Sequence, residues 1–165
     1  MNSNIQNGKG SSKITLKKIT SINLETILNL KVKPKQRTLV APNAVSIAQA
    51  QFTRGAWYRA ICLGKEPIGF VMLRDSTLKF KKINPKNPEI YLWRFMIDGR
   101  YQGKGYGKKA LELVIHHAQS RSGIKEITLH HQPSKGNAGN FYKKLGFKHT
   151  GKIHLGELEM KLKLD

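Results

Sequence analysis

Residues 102–107, with the sequence QGKGYG, have the composition of an anion-binding turn. They follow the apolar run of residues 90–97 and precede apolar residues with helical spacing at Ala110, Leu111, Leu113, Val114, Ile115 and Ala118. Glycine adopts positive φ and lets a ligand come close to the backbone. The first amides of a helix have no intrahelical partner and point at a ligand along the positive end of the helix dipole. The segment therefore predicts a site for a phosphate or pyrophosphate group.

Two other kinds of site find little support in the sequence. The single cysteine, Cys62, lies in an apolar strand pattern and is interpreted as a buried structural thiol rather than a nucleophile. One cysteine excludes an internal disulfide, and no export signal is recognised, so we expect a cytoplasmic protein. No cluster of histidine and cysteine has the spacing of metal ligands, so we expect no metal.

The charge balance is strongly basic, with 30 Lys and Arg against 10 Asp and Glu, a formal net charge of +20. Such a surface attracts polyanions. Because the basic residues are spread along the chain without an arginine-rich arm or zinc-finger spacing, a solvated basic surface is favoured and contact with nucleic acid is an open alternative. The apolar runs are too short to span a membrane, so no membrane association is expected.

The elements that must position the turn can be followed along the chain. Residues 1–12 are polar and predicted to be a disordered leader, and residues 13–165 are predicted to form one domain. Alternation predicts a strand at residues 14–19, and Asn23 or Ser21 is expected to cap a helix that ends at residues 33–35. A second helix is expected after Pro42. Two antiparallel strands, 57–63 and 68–74, are predicted around a turn at residues 64–67.

The second half predicts a strand–helix–strand unit. Residues 78–88 are expected to be a basic loop, and the long apolar strand 89–97 is expected to be buried on both faces. The helix after the glycine turn runs to about residue 120, and the strand 125–131 should be parallel to the first. A helix at 137–145, stopped by Gly146, and a hairpin of residues 147–153 and 158–164 follow. The sequence predicts an α/β (α+β) fold with a central mixed sheet and about four helices.

Three segments resemble the GNAT acetyltransferase superfamily. Gln102, Gly105 and Gly107 match its Gln-x-x-Gly-x-Gly pattern, and residues 138–147 (AGNFYKKLGF) match Ala-x-x-Phe/Leu-Tyr-x-x-x-Gly-Phe. Residues 156–162 (GELEMKL) resemble its last hairpin. The resemblance covers residues 13–165. Within the superfamily the chain is most similar to bacterial spermine/spermidine (diamine) acetyltransferases, through residues 40–49 (VAPNAVSIAQ) and 94–98 (RFMID).

The resemblance implies acetyl-CoA as co-substrate. Its pyrophosphate would lie on the amides of residues 103–108, and its pantetheine arm would pair with residues 95–97. Lys104 and Lys108 would add positive charge, although a solvated helix start also explains them. The family often has an asparagine where this chain has Lys135, and Asn137 follows two residues later, so either could contact the arm. The implied cofactor residues are Phe95, Met96, Ile97, Gln102, Gly103, Lys104, Gly105, Tyr106, Gly107, Lys108, Lys135 and Asn137.

Acetyl transfer to an amine needs a neutral nitrogen, a polarised thioester carbonyl and a proton for the leaving thiolate. The resemblance assigns the proton donor to Tyr142, whose alternative role is packing beneath the cofactor. The carbonyl is expected to accept from the backbone amide of Ile97 or Met96. Asp98, directly after the strand, is interpreted as ordering the turn.

The base is where the chain departs from its relatives. Some polyamine acetyltransferases carry acidic residues where this chain has Trp93 and Arg94, which can neither act as a base near neutral pH nor attract a polycation. His130 or His131 could relay a proton, and alternation is expected to direct only one of them to the site. Glu157 on the last hairpin is expected to flank the acceptor. Structural or surface roles for these residues stay open. Trp93, Arg94, His131 and Glu157 are therefore candidate acceptor residues.

The predicted function is an N-acetyltransferase that transfers acetyl from acetyl-CoA to a primary amine by direct attack in a ternary complex. A polyamine or diamine such as spermidine or spermine is the acceptor that the resemblance implies. Open alternatives are an antibiotic amine, an aminoacyl-RNA, a non-catalytic acyl-CoA sensor, and a basic nucleic-acid-binding protein that retains the fold. Many relatives are dimers, so a homodimer is a further alternative.

Overall fold

A seven-stranded mixed sheet forms the centre of the computed structural model, which describes residues 13–78, 87–133 and 138–164. Its strands are β1 (Ile14–Lys17), β2 (Ala56–Leu63), β3 (Glu66–Asp75), β4 (Ile90–Ile97), β5 (Glu126–His131), β6 (Lys148–His154) and β7 (Glu157–Lys163). The α-helices are α1 (Ser21–Asn29), α2 (Asn43–Gln51), α3 (Tyr106–Gln119) and α4 (Gly139–Lys143). The strand order is β1-β2-β3-β4-β5-β7-β6. The predicted fold class is confirmed.

Several boundaries differ from the sequence prediction. Helix α1 begins after Thr20, whose backbone N–H donates to Oδ1 of Asn23 at 2.9 Å, so neither Ser21 nor Asn23 is the N-cap. The helix ends at Asn29 rather than at residues 33–35, and Pro34–Gln36 forms a separate 3-10 turn. Strand β3 begins at Glu66, which shortens the preceding turn to two residues. The predicted leader (1–12), most of the basic loop (79–86) and residues 134–137 lie outside the described residues.

Two hydrophobic cores hold helices against opposite faces of the sheet. On one face, α3 packs through Ala110, Leu111, Val114 and Ala118 against apolar side chains of β3, β4, β5 and β7. On the other face, Ile27 of α1 and Ala50 of α2 pack against β2, β3 and β4. The helices therefore cover the sheet on both faces and leave its β4–β5 region accessible.

No helix in the described ranges is long and apolar enough to cross a membrane.

The parallel strands β4 and β5 separate soon after they meet. They pair only at Ile90 with Ile127 and at Tyr91 with Thr128. On the other edge of β4, Met72 pairs with Arg94 and Leu73 with Leu92, so Trp93 is an extra residue in a β-bulge. A bulge bends its strand and increases the local twist. The remainder of β4 therefore leaves β5 and opens a gap in the sheet. For this reason the expectation of burial on both faces fails for Tyr91, Trp93 and Phe95, which are only partly buried.

Asp98 anchors the start of the glycine turn to the end of β4. The residue is only 3% exposed. Its carboxylate accepts hydrogen bonds from the backbone N–H of Lys31 (3.0 Å), the backbone N–H of Arg100 (3.0 Å) and Nε of Arg100 (2.8 Å). Burial alone would raise the pKa of Asp98, but the hydrogen bonds from Arg100 and Lys31 outweigh it and lower that pKa. Asp98 thus orders the turn, as predicted, and also fastens the loop after α1.

We expect Asp98→Asn to lower the free energy of unfolding by about 1–3 kcal/mol near pH 7, because the amide replaces a buried charged acceptor. A carboxylate with a lowered native pKa stabilises the fold above its unfolded pKa of about 3.9, and this stabilisation is lost as the pH falls through the native value. The difference between wild type and variant should therefore shrink below about pH 4. Urea unfolding across this range measures it. The exposed Glu25→Gln is the control, and equal effects of the two substitutions would contradict the anchoring role.

Candidate active site

A cavity of about 670 Å³ occupies the gap between β4 and β5. Its walls are β4, the start of α3, the end of β5, α4, the start of β7 and the loop that follows α1. The structure brings thirteen of the predicted site residues together in its lining: Trp93, Arg94, Phe95, Met96, Ile97, Gln102, Gly103, Gly105, Gly107, Lys108, His131, Tyr142 and Glu157. One cavity therefore joins the glycine turn to the candidate acid and the candidate acceptor residues.

The glycine turn has the backbone that its sequence predicts. Gly103 and Gly105 have φ of 80° and 79°, and Gly105 is the N-cap of α3. A Cβ built at either glycine would meet no atom within 4 Å, so the space beside the turn is open. The N–H of Lys109 donates to the carbonyl of Gly105 at 3.3 Å. The amides of Gly105 to Lys108 donate to no carbonyl in the described part of the chain. These amides are available to an anionic ligand.

Gln102 fixes this turn to the strand before it. Its Nε2 donates to the carbonyl oxygen of Ile97 at 2.8 Å and to Oε1 of Gln36 at 2.9 Å. The first bond holds the turn at the end of β4, and the second ties it to the loop after α1. Gln102 therefore lines the cavity and also sets the position of the amides that follow it.

The edge of β4 that faces the gap presents backbone groups of alternate residues. The N–H of Asp98 donates to the carbonyl of Ile68 on β3 at 2.8 Å. Since backbone groups alternate between the two edges of a strand, Asp98 and Met96 point toward β3, whereas Ile97 and Phe95 point toward the gap. Of the two amides expected to polarise a carbonyl, that of Ile97 fits and that of Met96 does not, although the Met96 side chain lines the cavity.

Four predicted cofactor residues lie away from the lining or outside the described residues. Nζ of Lys104 lies 5.7 Å from the centroid of the Tyr101 ring, and Tyr106 packs partly buried against the core beneath α3. Lys135 and Asn137 lie outside the described residues. Lys108, by contrast, lines the cavity, and its Nζ is 3.9 Å from Glu112. The structure therefore leaves the cofactor roles of Lys104, Tyr106, Lys135 and Asn137 as predictions.

Tyr142 places a protonated phenol in the cavity. Its ring packs edge-on against Phe141 and Phe147, with centroids 5.3 Å and 5.6 Å away. Burial, and to a smaller extent Tyr91, raise the pKa of Tyr142 well above its usual value of 10. The hydroxyl has no hydrogen-bond partner in the described ranges, so its proton is free to be given to a ligand. The packing role and the donor role expected from the sequence are thus compatible in one residue.

Tyr91, Arg94 and Glu157 group charged and phenolic side chains at another part of the lining. Burial raises the pKa of Tyr91, and Glu157 raises it further. Arg94 lies with its guanidinium carbon 5.1 Å from the centroid of the Trp93 ring and donates to the carbonyl of Trp93 (2.9 Å) and to Oε1 of Gln49 (3.3 Å). Burial lowers the pKa of Arg94. The positive charge of Arg94 is therefore directed toward its own strand and α2.

Both histidines at the end of β5 line the cavity. The expectation that only one would face the site was wrong, because the cavity lies in a gap in the sheet and is open to both of its faces. His131 has Nδ1 3.0 Å from the carbonyl oxygen of Gln132 and a buried Nε2 without a partner in the described ranges. His130 has Nδ1 3.0 Å from the hydroxyl of Tyr91.

Sequence reasoning missed two groups of lining residues. Tyr91 was not singled out, although its position two residues before Trp93 and its register opposite Thr128 place it near His130. The loop after α1 was also missed, and it contributes Val32, Gln36, Thr38, Leu39, Val40 and Ala41. Its contact with Gln102 joins residues that are 66 positions apart, which no local pattern predicts.

The arrangement can hold an anion, pair with an extended polar ligand, polarise a carbonyl and donate a proton. The glycine turn, the free edge of β4, the amide of Ile97 and the phenol of Tyr142 supply these four capacities. In the parts of the chain that the structure describes, no three His, Cys, Asp or Glu side chains are arranged to hold a metal ion. The chemistry that this lining itself supplies is proton transfer and hydrogen bonding.

Comparison with known proteins agrees with the geometry. The family model for the acetyltransferase (GNAT) family matches residues 25–147. The chain is 32% identical over 142 residues to spermine/spermidine N(1)-acetyltransferase of Bacillus subtilis (strain 168), a match that covers 85% of this chain and 91% of that protein.

Two solved structures share the fold. An acetyltransferase from Thermus thermophilus matches with a TM-score of 0.70 at 17% identity and covers 93% of this chain and 99% of that chain. The PaiA N-acetyltransferase from Thermoplasma acidophilum, solved in complex with coenzyme A, matches with a TM-score of 0.63 at 20% identity and covers 92% and 99% of the two chains. At these identities the structural likeness concerns the fold.

We expect Gly105→Ala to weaken CoA binding roughly tenfold, because its positive φ strains an alanine by about 1–2 kcal/mol and displaces the amides of the turn. Calorimetric titration with CoA measures the affinity. Gly64→Ala is the matched control, since Gly64 has φ of 62° but lies in the β2–β3 turn, outside the cavity lining. Both variants should lose similar thermal stability. An equal loss of CoA affinity in both would contradict the role of the glycine turn.

Proposed function

The chain belongs to the acetyltransferase (GNAT) family, and we propose that it transfers the acetyl group of acetyl-CoA to a primary amine of a polyamine or diamine such as spermidine or spermine. The observation that carries this proposal is the single cavity that joins the glycine turn, Tyr142 and Glu157. We further propose that the enzyme acts in the cytoplasm, where a reducing environment keeps a free thiol such as that of the buried Cys62 reduced.

The lining fits acetyl-CoA along its length. The free amides of residues 105–108 would hold the pyrophosphate, with Lys108 adding positive charge. The gap-facing backbone of Phe95 would pair with an amide group of the pantetheine arm. Acetyl-CoA supplies the activated acetyl thioester. The protein supplies its position next to the acceptor.

The remaining chemistry falls to three groups of the chain. The acceptor is an ammonium ion at neutral pH, since amine pKa values are about 10, and it must lose a proton before it attacks. The carbonyl oxygen of the thioester, on which negative charge develops, would accept a hydrogen bond from the gap-facing amide of Ile97. Burial raises the pKa of Tyr142, so its phenol is protonated at neutral pH, and we propose that it donates this proton to the leaving thiolate.

The polyamine acceptor is supported by the similarity to the Bacillus subtilis enzyme and by the carboxylates of β7. Glu157 lines the cavity, and Glu159 lies two residues later on the same face of the strand. The positive charge of Arg94 argues against a polycationic acceptor in the sequence, but its guanidinium group donates hydrogen bonds to the Trp93 carbonyl and to Gln49. The net charge of +20 favours a small antibiotic amine or an aminoacyl-RNA as the second candidate, because a basic surface slows the approach of a polycation.

A panel of amines tests the acceptor class. We expect CoA release from acetyl-CoA to be fastest with spermidine or spermine, slower with a monoamine of equal length, and slowest with an aminoglycoside or an aminoacyl-RNA analogue. Glu157→Gln should raise KM for spermidine more than for the monoamine, because only the polyamine carries further ammonium groups to pair with the carboxylate. If CoA binds but no amine of the panel causes its release from acetyl-CoA, the proposed function is contradicted.

Replacement of Tyr142 by phenylalanine tests the proton donor. We expect Tyr142→Phe to lower kcat about 10²-fold with little change in CoA affinity, because the ring packing is retained and only the proton is lost. Tyr58→Phe is the control, since Tyr58 lies outside the cavity lining.

The pH profile of the wild type supplies an independent check on Tyr142. Because the pKa of Tyr142 is raised, its phenol stays protonated on the alkaline side, and kcat should not fall between about pH 8 and 10. A decline of kcat in this range that disappears in Tyr142→Phe would mean that the phenol ionises at an ordinary pKa.

A further inference from the structure

Tyr91, His130 and Glu159 form a line of polar side chains that leads away from the cavity. The Tyr91 hydroxyl lies 3.0 Å from Nδ1 of His130, and Nε2 of His130 lies 3.7 Å from a carboxylate oxygen of Glu159. Tyr91 and His130 both line the cavity. The side chains of His130 and Glu159 are 16% and 14% exposed. The line therefore connects the acceptor region to a largely buried carboxylate.

The register of three strands produces this line. Tyr91 of β4 is opposite Thr128 of β5 in the last residue pair before the strands separate, and His130 is the next residue on the same face of β5. His130 is in turn paired with Glu159 on β7. Cross-strand neighbours on one face lie within reach of each other's side chains. The fold thus holds the three groups in place without help from a flexible loop.

The phenol alone is a poor base. Burial and the neighbouring Glu157 raise the pKa of Tyr91, so it remains protonated at neutral pH. A protonated phenol can take up a proton only if it gives its own proton to another group at the same time. Nδ1 of His130 is within hydrogen-bond distance for that transfer, and a neutral imidazole has one ring nitrogen that can accept a proton.

We propose that Tyr91 is the group that deprotonates the acceptor, and that His130, positioned by Glu159, receives the phenol proton. This proposal rests on the proposed acetyltransferase function. An N–H bond of the acceptor's ammonium group breaks as a new O–H bond forms on Tyr91, while the original Tyr91 O–H bond breaks and an N–H bond forms at Nδ1 of His130. The imidazolium ion is stabilised by the Glu159 carboxylate.

The freed lone pair of the amine attacks the carbonyl carbon of the acetyl thioester. The C–S bond breaks, its electron pair goes to sulfur, and sulfur takes the proton of Tyr142. The second amine proton leaves as the amide forms and restores Tyr142. One proton per turnover therefore leaves through His130, which agrees with the conversion of an ammonium ion and a thioester into an amide, a thiol and a proton.

The charges around the relay are nearly balanced. Glu157 of β7 raises the pKa of the Tyr91 phenol, whereas Arg94 of β4 and Arg74 of β3 lower it. Glu159 faces His130, and the ring of His154 on β6 lies 5.7 Å from that of His130. Lys161 of β7 is paired with Glu126 of β5. Groups of both charges thus surround the relay, and the Tyr91–His130 hydrogen bond is the route that we propose for the proton.

Acceptors of different basicity test the relay. We expect Tyr91→Phe and His130→Gln to lower kcat/KM about 10²-fold for a diamine, which is an ammonium ion at about pH 7.5. The same variants should be close to wild type with an alkoxyamine or hydrazide of similar length, whose nitrogen is already neutral. His154→Gln is the matched control and should change neither. CoA affinity and thermal stability, measured on all variants, establish that each one is folded. Equal losses with both kinds of acceptor would overturn the proposal.

The tautomer of His130 gives a readout that does not need turnover. Nitrogen NMR of the imidazoles should find His130 protonated at Nε2 and free at Nδ1 in the wild type, with the Nδ1 resonance shifted in Tyr91→Phe. A proton on Nδ1 would overturn the relay, because that nitrogen could not then accept from the phenol. If the wild type acetylates no amine, the proposed function fails, whereas the tautomer still decides the hydrogen bond on which the relay depends.

Discussion

The early separation of β4 from β5 is the constraint on which the rest of the site depends. Two parallel strands pair over only two residue pairs, and the bulge at Trp93 bends β4 away. A continued ladder with β5 would pair the gap-facing backbone groups of Phe95 and Ile97, and this partner strand is lost where β4 and β5 separate. In the open gap these backbone groups face a cavity that a ligand with amide groups can fill. The sheet thereby gives up internal hydrogen bonds for a binding edge.

The gap also explains how one cavity can bring together the two phenols for which we propose different proton transfers. It opens to both faces of the sheet, and each face supplies one phenol. Tyr142 reaches it from α4 through a packing of aromatic rings, and Tyr91 reaches it from β4 through a hydrogen bond to His130. The two phenols differ in their surroundings. Tyr142 has no partner in the described ranges and is placed to donate, whereas Tyr91 has an imidazole to which its proton can pass.

Local patterns are sufficient to predict the glycine turn, and the family resemblance selects residues 95–97 and Tyr142, which line the same cavity. The turn depends on residues adjacent in the chain, and its φ angles follow from glycine at two positions. Long-range placement is harder. The bulge at Trp93 has no signal in the sequence, so the sequence directs the charge of Arg94 at the acceptor, although the structure turns it toward Gln49. Both His130 and His131 line the cavity for the same reason, because alternation assigns a residue to a face and not to a gap.

The central claim is that this gap holds the pantetheine and pyrophosphate of CoA, and amide hydrogen exchange with and without CoA tests it directly. The account predicts slower exchange at the gap-facing amides of Phe95 and Ile97 and at residues 105–108 when CoA is bound, with no change in β6, which does not line the cavity. Protection spread over β6, or unchanged exchange at residues 95, 97 and 105–108 although CoA binds, would contradict it.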